Sequence, residues 1–264
     1  MDQSFETLQV QSLDDGILRV VLNRPDAANA MNTQMGRDVL ALFSQLNANP
    51  QQARCIILSA NGQRAFCAGG DLKERNGMTD EQWQAQHLIF ERMIRAIIDC
   101  PIPVIAAVNG AAFGGGLEIA LACDFIYASR TARFALTEVT LGIMPGCGGT
   151  QNFPRAVGER RAKELILGGT AFSAEEAFAW GLVNRVCEPD KLLGDSLEIA
   201  QKIARNGPLA VRQAKHAIHH GLEQSLANGM LFEIEAYNRL IPTQDRHEGI
   251  LAFNEKRRPA FKGT

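Results

Sequence analysis

Glu118 is the only aspartate, glutamate, lysine, arginine or histidine between Cys100 and Cys123. Glu138 is the only one between Ala135 and Pro154. Both segments are otherwise apolar and read as buried. A lone carboxylate taken out of water is costly, and it responds by holding its proton more tightly. A raised pKa suits general acid–base work near neutral pH. One such glutamate is readily explained as a solvent-facing or turn-capping residue. Two, each isolated, point to a paired function. Gly114-Gly115-Gly116 stands immediately before Glu118, ahead of a helix expected to start near Leu117. Glycines allow close approach to the backbone, and the first amides of a helix point outward without partners. Such donors, at the positive end of the helix dipole, stabilise a developing oxyanion. The run matches neither of the glycine-rich phosphate-binding patterns, G-x-x-x-x-G-K-[ST] and G-x-G-x-x-G. A second loop of small residues, FCAGGDLKE at 66–74, follows a strand and can supply another N–H, although many turns look like it.

These residues need a scaffold to position them. Ile17 to Leu22, Cys55 to Ala60 and Val104 to Val108 read as strands, with Phe125 to Ala128 and Phe134 to Leu136 after them. Residues 30–48 read as a helix, with Met31, Met35, Val39, Leu42 and Leu46 at three-to-four spacing, and 81–99 as another. This β–α rhythm predicts an α/β core with a substantial parallel sheet. Beyond about residue 158 the pattern turns helical. Ser173 and Glu176 form a capping-box signature, and helices are expected over 189–205, 208–220, 222–239 and 245–258. The expected division is a core over residues 1–195 and a helical C-terminal region over 196–264.

The chain has 264 residues, 46% of them hydrophobic, and a net charge of −2. Neither nucleic acid nor an anionic membrane surface is favoured by that charge. The N-terminal MDQSFETLQV carries Asp2 and Glu6 and has no apolar run of signal-peptide length. No stretch approaches the roughly 20 apolar residues of a membrane span. Cys55, Cys67, Cys100, Cys123, Cys147 and Cys187 form no C-x-x-C pair and read as buried, reduced thiols of a cytoplasmic protein. His216 and His220 lie four apart, but no carboxylate motif joins them, so no metal site is expected.

With these residues in view, the chain resembles the crotonase (enoyl-CoA hydratase/isomerase) superfamily over nearly its whole length. The resemblance runs through Leu22-Asn23-Arg24-Pro25, Asn29-Ala30, FCAGGDLKE at 66–74, VNGAAFGGGLEIALACD at 108–124, LGIMPGCGGTQNFPR at 141–155 and EKRRPAFKG at 255–263. It implies an α/β fold of repeated β–β–α turns forming a spiral, with a helical C-terminal trimerisation region. Homotrimers or hexamers are implied as well. The resemblance assigns the oxyanion hole to the N–H groups of Gly70 and Gly115, and the catalytic acids to Glu118 and Glu138. It places coenzyme A at Ala27, Ala28, Ala68, Leu72 and Lys256, the last often reaching across a subunit boundary. Asp26 departs from the pattern, since relatives frequently carry lysine there.

The implied activity is addition of water across the 2,3 double bond of a short-chain 2-enoyl-CoA, with no cofactor beyond the coenzyme A of the substrate. Glu118 would activate water and Glu138 would deliver a proton. An isomerase needs one acid–base group, so the second glutamate argues against it. A non-catalytic CoA-binding protein would not need either. CAGGDLKERNGM at 67–78 and the 241–263 block look especially like 3-methylglutaconyl-CoA hydratases. Some of those relatives bind RNA through a lysine-rich helix. Here the matching helix, 30–48, has only Arg37, so the electrostatic footprint is missing. Acyl selectivity is expected from the region between Arg75 and Phe90, including Met78, Trp83 and Phe90 itself.

Overall fold

The computed structural model describes residues 5–264; residues 1–4 of the N-terminal stretch read above lie outside them. The chain begins β1 (Leu8–Ser12), β2 (Ile17–Leu22), α1 (Thr33–Ala48), β3 (Cys55–Ala60), β4 (Ala65–Cys67), α2 (Leu72–Arg75) and α3 (Asp80–Ile98). It continues β5 (Val104–Val108), β6 (Ala111–Phe113), α4 (Gly115–Ala122), β7 (Phe125–Ser129), β8 (Arg133–Ala135), α5 (Gly149–Val157) and α6 (Glu159–Gly168). It ends β9 (Phe172–Ser173), α7 (Ala174–Ala179), β10 (Arg185–Cys187), α8 (Leu192–Ala204), α9 (Pro208–Gly221), α10 (Leu226–Asn238) and α11 (Gln244–Asn254).

The strands sort into two sheets. The larger has the order β1-β2-β3-β5-β7-β10, and the smaller β4-β6-β8-β9. All pairs are parallel except β1–β2 and β8–β9. Each turn therefore lays one strand in the large sheet and the next in the small sheet, then closes with helix. β3–β4, β5–β6 and β7–β8 are three successive turns of the expected spiral.

The central strands are buried on both faces, which is why they read as continuous apolar runs. Alternation assigns the faces. Leu18, Val20, Leu22, Ile56, Leu58, Val104 and Ala106 point into the main core with α1 and α3. Ile17, Cys55, Ile57, Ile105 and Ala107 point the other way and are covered by Leu192, Ala200 and Ala204 of α8. Thus α8, continuous across residues 195 and 196, belongs to the packing of the large sheet. The helices that extend beyond it are α9, α10 and α11.

Several expectations shift at their edges. The first helix begins at Thr33 because the Asn32 side chain caps it, accepting from the Met35 N–H at 2.9 Å. The helix after the glycine run begins at Gly115, two residues before the expected start. The helix expected from 222 begins at Leu226 behind a Ser225 cap, and the last ends at Asn254. The Ser173–Glu176 capping box is present and opens α7. One reading is corrected outright: the segment around Glu138 is not wholly buried. Leu141, Ile143 and Met144 are exposed, because the chain leaves β8 through a short 3-10 turn, Glu138–Leu141, and a surface loop. All six cysteines are buried and unpaired.

Candidate active site

Three neighbouring strand ends build the site. β4, β6 and β8 lie parallel, with Cys67 opposite Ala112 and Phe113 opposite Ala135. Each releases the chain at the same edge of the small sheet. Gly69 and Gly70 follow β4, the glycine run follows β6, and Glu138 follows β8. Ligands of parallel sheets bind at this carboxyl edge, where backbone turns away and leaves a crevice.

The glycines are there for space and for backbone angle. Gly69 has φ +94° and Gly114 φ +52°, values that suit glycine. A side-chain carbon on Gly69 would lie 2.9 Å from the Phe113 carbonyl oxygen, and one on Gly116 only 2.0 Å from that of Cys67. The two loops are therefore in backbone contact. The Gly70 N–H and the Gly115 N–H, the latter on the first residue of α4, donate to no acceptor among the described residues. Met31 pins the first loop from outside: its N–H donates to the Gly69 carbonyl at 2.7 Å, and its carbonyl accepts from Asp71 N at 2.8 Å. Asp71 in turn caps α2 and pairs with Arg24 at 3.0 Å.

Glu118 sits in the first turn of α4, a helix buried on nearly every side, and is 3% exposed. Its Oε1 accepts from the N–H of Cys147 at 2.7 Å and of Gly149 at 2.8 Å. Gly149 opens α5, so the carboxylate satisfies amides that the start of that helix leaves unpaired. Burial nevertheless dominates and, with the nearby charge of Glu138 adding to it, pushes the Glu118 pKa up to about 7 against those two bonds. Glu138 is half-buried, and burial raises its pKa as well. Its Oε2 is buried without a hydrogen-bond partner. The two carboxylates approach the same stretch of backbone. A side-chain carbon on Gly114 would lie 3.0 Å from Glu138 Oε1, and one on Gly115 3.8 Å from Glu118 Oε2.

Ala28 and Ala68 are drawn together by the bond from Ala68 N to the Ala28 carbonyl at 3.1 Å, with Ala27 beside them and Leu72 49% exposed at the start of α2. Lys256 makes no such backbone bond to them; its own N–H donates to the Phe253 carbonyl at 3.2 Å. It lies just past α11, and no hydrogen bond or ion pair ties its side chain to either loop. Arg257 is committed locally to Glu248 and Glu255, both at 2.6 Å. Asp26 is exposed. His219 and His220, in the last turn of α9, approach Glu223 just beyond it.

Some site residues escaped sequence reasoning. Cys147 and Gly149 orient Glu118, and the Gly148-Gly149 pair ahead of a helix was the available signal. Asn29 is the second. It is 1% exposed with φ +53°. Its side chain accepts from Arg24 N at 2.8 Å and donates to the carbonyls of Asn61 and Ala65 at 2.9 and 3.0 Å. Replacing it would orphan all three groups. Asn29→Ala is expected to lower stability by about 2–4 kcal/mol and to loosen the loop that carries Ala28, with a higher KM for whatever substrate the site takes. Thermal melts and steady-state kinetics on the variant check both effects.

Two unpaired backbone donors beside two carboxyl groups with raised pKa values make a site that can polarise a carbonyl and move protons next to it. Comparison with known proteins agrees. A family model described as enoyl-CoA hydratase/isomerase matches residues 12–264, and the chain belongs to that family, with the crotonase fold. A solved structure of an enoyl-CoA hydratase from Bacillus anthracis superimposes with a TM-score of 0.96 at 44% identity, covering 98% of this chain and 100% of that one. The enoyl-CoA isomerase/hydratase fer4 of Mycosarcoma maydis is 42% identical over 94% of this chain and 93% of its own length. The human mitochondrial methylglutaconyl-CoA hydratase is 38% identical over 98% of this chain and 78% of its own length.

Proposed function

We propose that this protein is an enoyl-CoA hydratase, adding water across the 2,3 double bond of a 2-enoyl-CoA to give the 3-hydroxyacyl-CoA. The observation that carries the reading is the pair of raised-pKa carboxyls, Glu118 and Glu138, flanking two free amide donors. The thioester oxygen accepts from the Gly70 and Gly115 N–H groups, which stabilises the enolate-like transition state. Removing one such donor typically costs about 100-fold or more in rate. Ionised Glu118, oriented by Cys147 and Gly149, takes a proton from water as it attacks C3. Protonated Glu138 supplies the proton that C2 gains. A double-bond isomerase would leave one of these groups without work. Ala27, Ala28, Ala68 and Leu72 are assigned to the nucleotide end of coenzyme A.

Lys256 completes that end from a neighbouring subunit in a homotrimer or a pair of trimers. The support for assembly is the apolar surface left by the C-terminal helices. A groove of about 550 Å³ between α9 and α10 is lined by Ile218, Leu222, Leu226, Met230 and Tyr237, and all five are exposed in the single chain. Among the described residues no helix is long and apolar enough to cross a membrane.

The test follows the ultraviolet absorbance of the conjugated thioester with crotonyl-CoA. A fall in absorbance with formation of 3-hydroxybutyryl-CoA supports the reading. Conversion of a 3-enoyl isomer without hydration replaces it with isomerisation. The same assay has a pH prediction. Because Glu118 must be ionised to act as base and its pKa lies at about 7, kcat/KM is expected to rise roughly tenfold per pH unit below that value and to fall again at the higher pH where Glu138, whose pKa burial also raises, loses the proton it must donate. A flat profile from about pH 5 to about pH 8 removes Glu118 from the role of base.

A further inference from the structure

Arg75, the last residue of α2, points its guanidinium back at the candidate oxyanion loop. A side-chain carbon on Gly70 would lie 3.1 Å from one of its terminal nitrogens and 3.3 Å from its central carbon. The position is held from several sides. Nε donates to Gln86 Oε1 at 2.8 Å, and Gln86, 3% exposed, is fixed by bonds to Glu74 Oε2 at 2.7 Å and Thr33 Oγ1 at 2.8 Å. The guanidinium plane rests over Trp83 at 4.2 Å and near Phe90 at 5.6 Å. It also acts electrostatically on the Cys147 thiol, whose own residue holds Glu118.

What this cation lacks is an anion in hydrogen-bond contact; Glu74 acts on it only through space. Its one hydrogen bond is to a neutral amide, and among the described residues it forms no ion pair. Glu74, the adjacent acid, is spent on Thr33 N and Gln86. Among the described residues both terminal nitrogens of Arg75 are without acceptors, on a group that presents a planar fork matched to carboxylate. A permanently charged, half-buried guanidinium with an oriented stem and an empty fork is a preorganised anion site. Its place beside Gly70 puts it at the acyl end of the substrate, away from the nucleotide end at Ala28 and Ala68.

We infer that Arg75 receives a carboxylate on the acyl chain, so that the preferred substrate is a 2-enoyl thioester of a short dicarboxylic acid. The inference rests on the reading of this site as one for CoA thioesters, and it deepens that reading by naming the acyl class. Phe90 is 1% exposed and packs against Gly36 in the core, so it lines no pocket and contributes only the floor under the arginine.

The test separates acyl recognition from turnover. Binding of two saturated five-carbon thioesters, glutaryl-CoA and pentanoyl-CoA, is measured by calorimetry on the wild-type protein and on Arg75→Met and Arg75→Lys. Both ligands carry the same coenzyme A, so contributions from its phosphates cancel in the ratio. Wild type is expected to favour glutaryl-CoA by about tenfold or more. Arg75→Met should abolish the preference, and Arg75→Lys should restore part of it. Equal affinities in wild type, or a preference that survives Arg75→Met, overturn the assignment. In the absorbance assay, an equal loss of kcat/KM for crotonyl-CoA and for glutaconyl-CoA in Arg75→Met also overturns it, since the cation would then be serving the oxyanion. A wild type that prefers glutaryl-CoA yet hydrates neither enoyl thioester sinks the hydratase reading and leaves Arg75 in place.

Discussion

Glu118→Gln is expected to slow hydration by about 100-fold or more while raising the melting temperature at about pH 8. The two effects have one cause. The folded protein holds the Glu118 proton up to about pH 7, whereas the unfolded chain releases it near 4.5. Across that window the native state binds more protons, so stability falls as pH climbs and is level above it. Each pH unit of the window is worth about 1.4 kcal/mol. The buried charge therefore costs on the order of 3 kcal/mol above neutrality, as an upper figure. Glutamine keeps an oxygen for the Cys147 and Gly149 amides and carries no charge to desolvate. It cannot take a proton from water, so turnover should drop by a factor of about 10² to 10⁴. Melts at about pH 5 and about pH 8, beside the absorbance assay, check the pair. Wild type and variant should differ little at the lower pH and clearly at the higher. Near-normal turnover in this variant would remove Glu118 from the mechanism. A variant destabilised equally at both pH values would show that the carboxylate is not a strained charge but a structural bond.

The second large effect is expected at Gly116. Its added side-chain carbon would stand 2.0 Å from the Cys67 carbonyl oxygen, 2.7 Å from the carbonyl carbon and 2.9 Å from Cys67 Cβ. The first two of these obstacles are backbone, so relief requires α4 to move off β4 as a unit. Gly116→Ala should cost about 3 kcal/mol or more. It should also lower kcat at least about 100-fold, because the same shift separates the Gly115 amide from the Gly70 amide. Gly194, near the start of α8, is the control: nothing lies within 4 Å of its added carbon and its φ is ordinary. Gly194→Ala should be neutral or stabilising by up to about 1 kcal/mol. Matching melts and rates for Gly116→Ala and wild type would mean that the two loops do not hold each other in register.

Much of this was legible before the fold. Ile17 to Leu22, Cys55 to Ala60 and Val104 to Val108 are strands with the expected limits, because a strand buried on both faces is a short unbroken run of branched residues between breakers. Glu118 and Glu138 declared themselves by isolation, since a charge without neighbours in an apolar segment has few inert explanations. The glycine run was readable because only glycine tolerates both the φ of Gly114 and the crowding at Gly116.

Other features have no local signature. β4, β6 and β8 have three residues each, too few for a period to show, yet their parallel pairing is what gathers Gly70, Gly115 and Glu138 at one edge. The bonds from Cys147 and Gly149 to Glu118 span 29 and 31 residues and exist only once α5 has packed beside α4. The exposed loop after Glu138 looked buried because apolar composition does not say which side of a turn faces water. Arg75 was readable as a cation, but its direction depends on Gln86, eleven residues away on another helix. Residue types and local spacing thus determined which groups are candidates for the chemistry. Long-range pairing of short strands and the packing of helix starts decided where those groups point, because hydrogen bonds between distant segments are set by the whole core and not by the residues that make them.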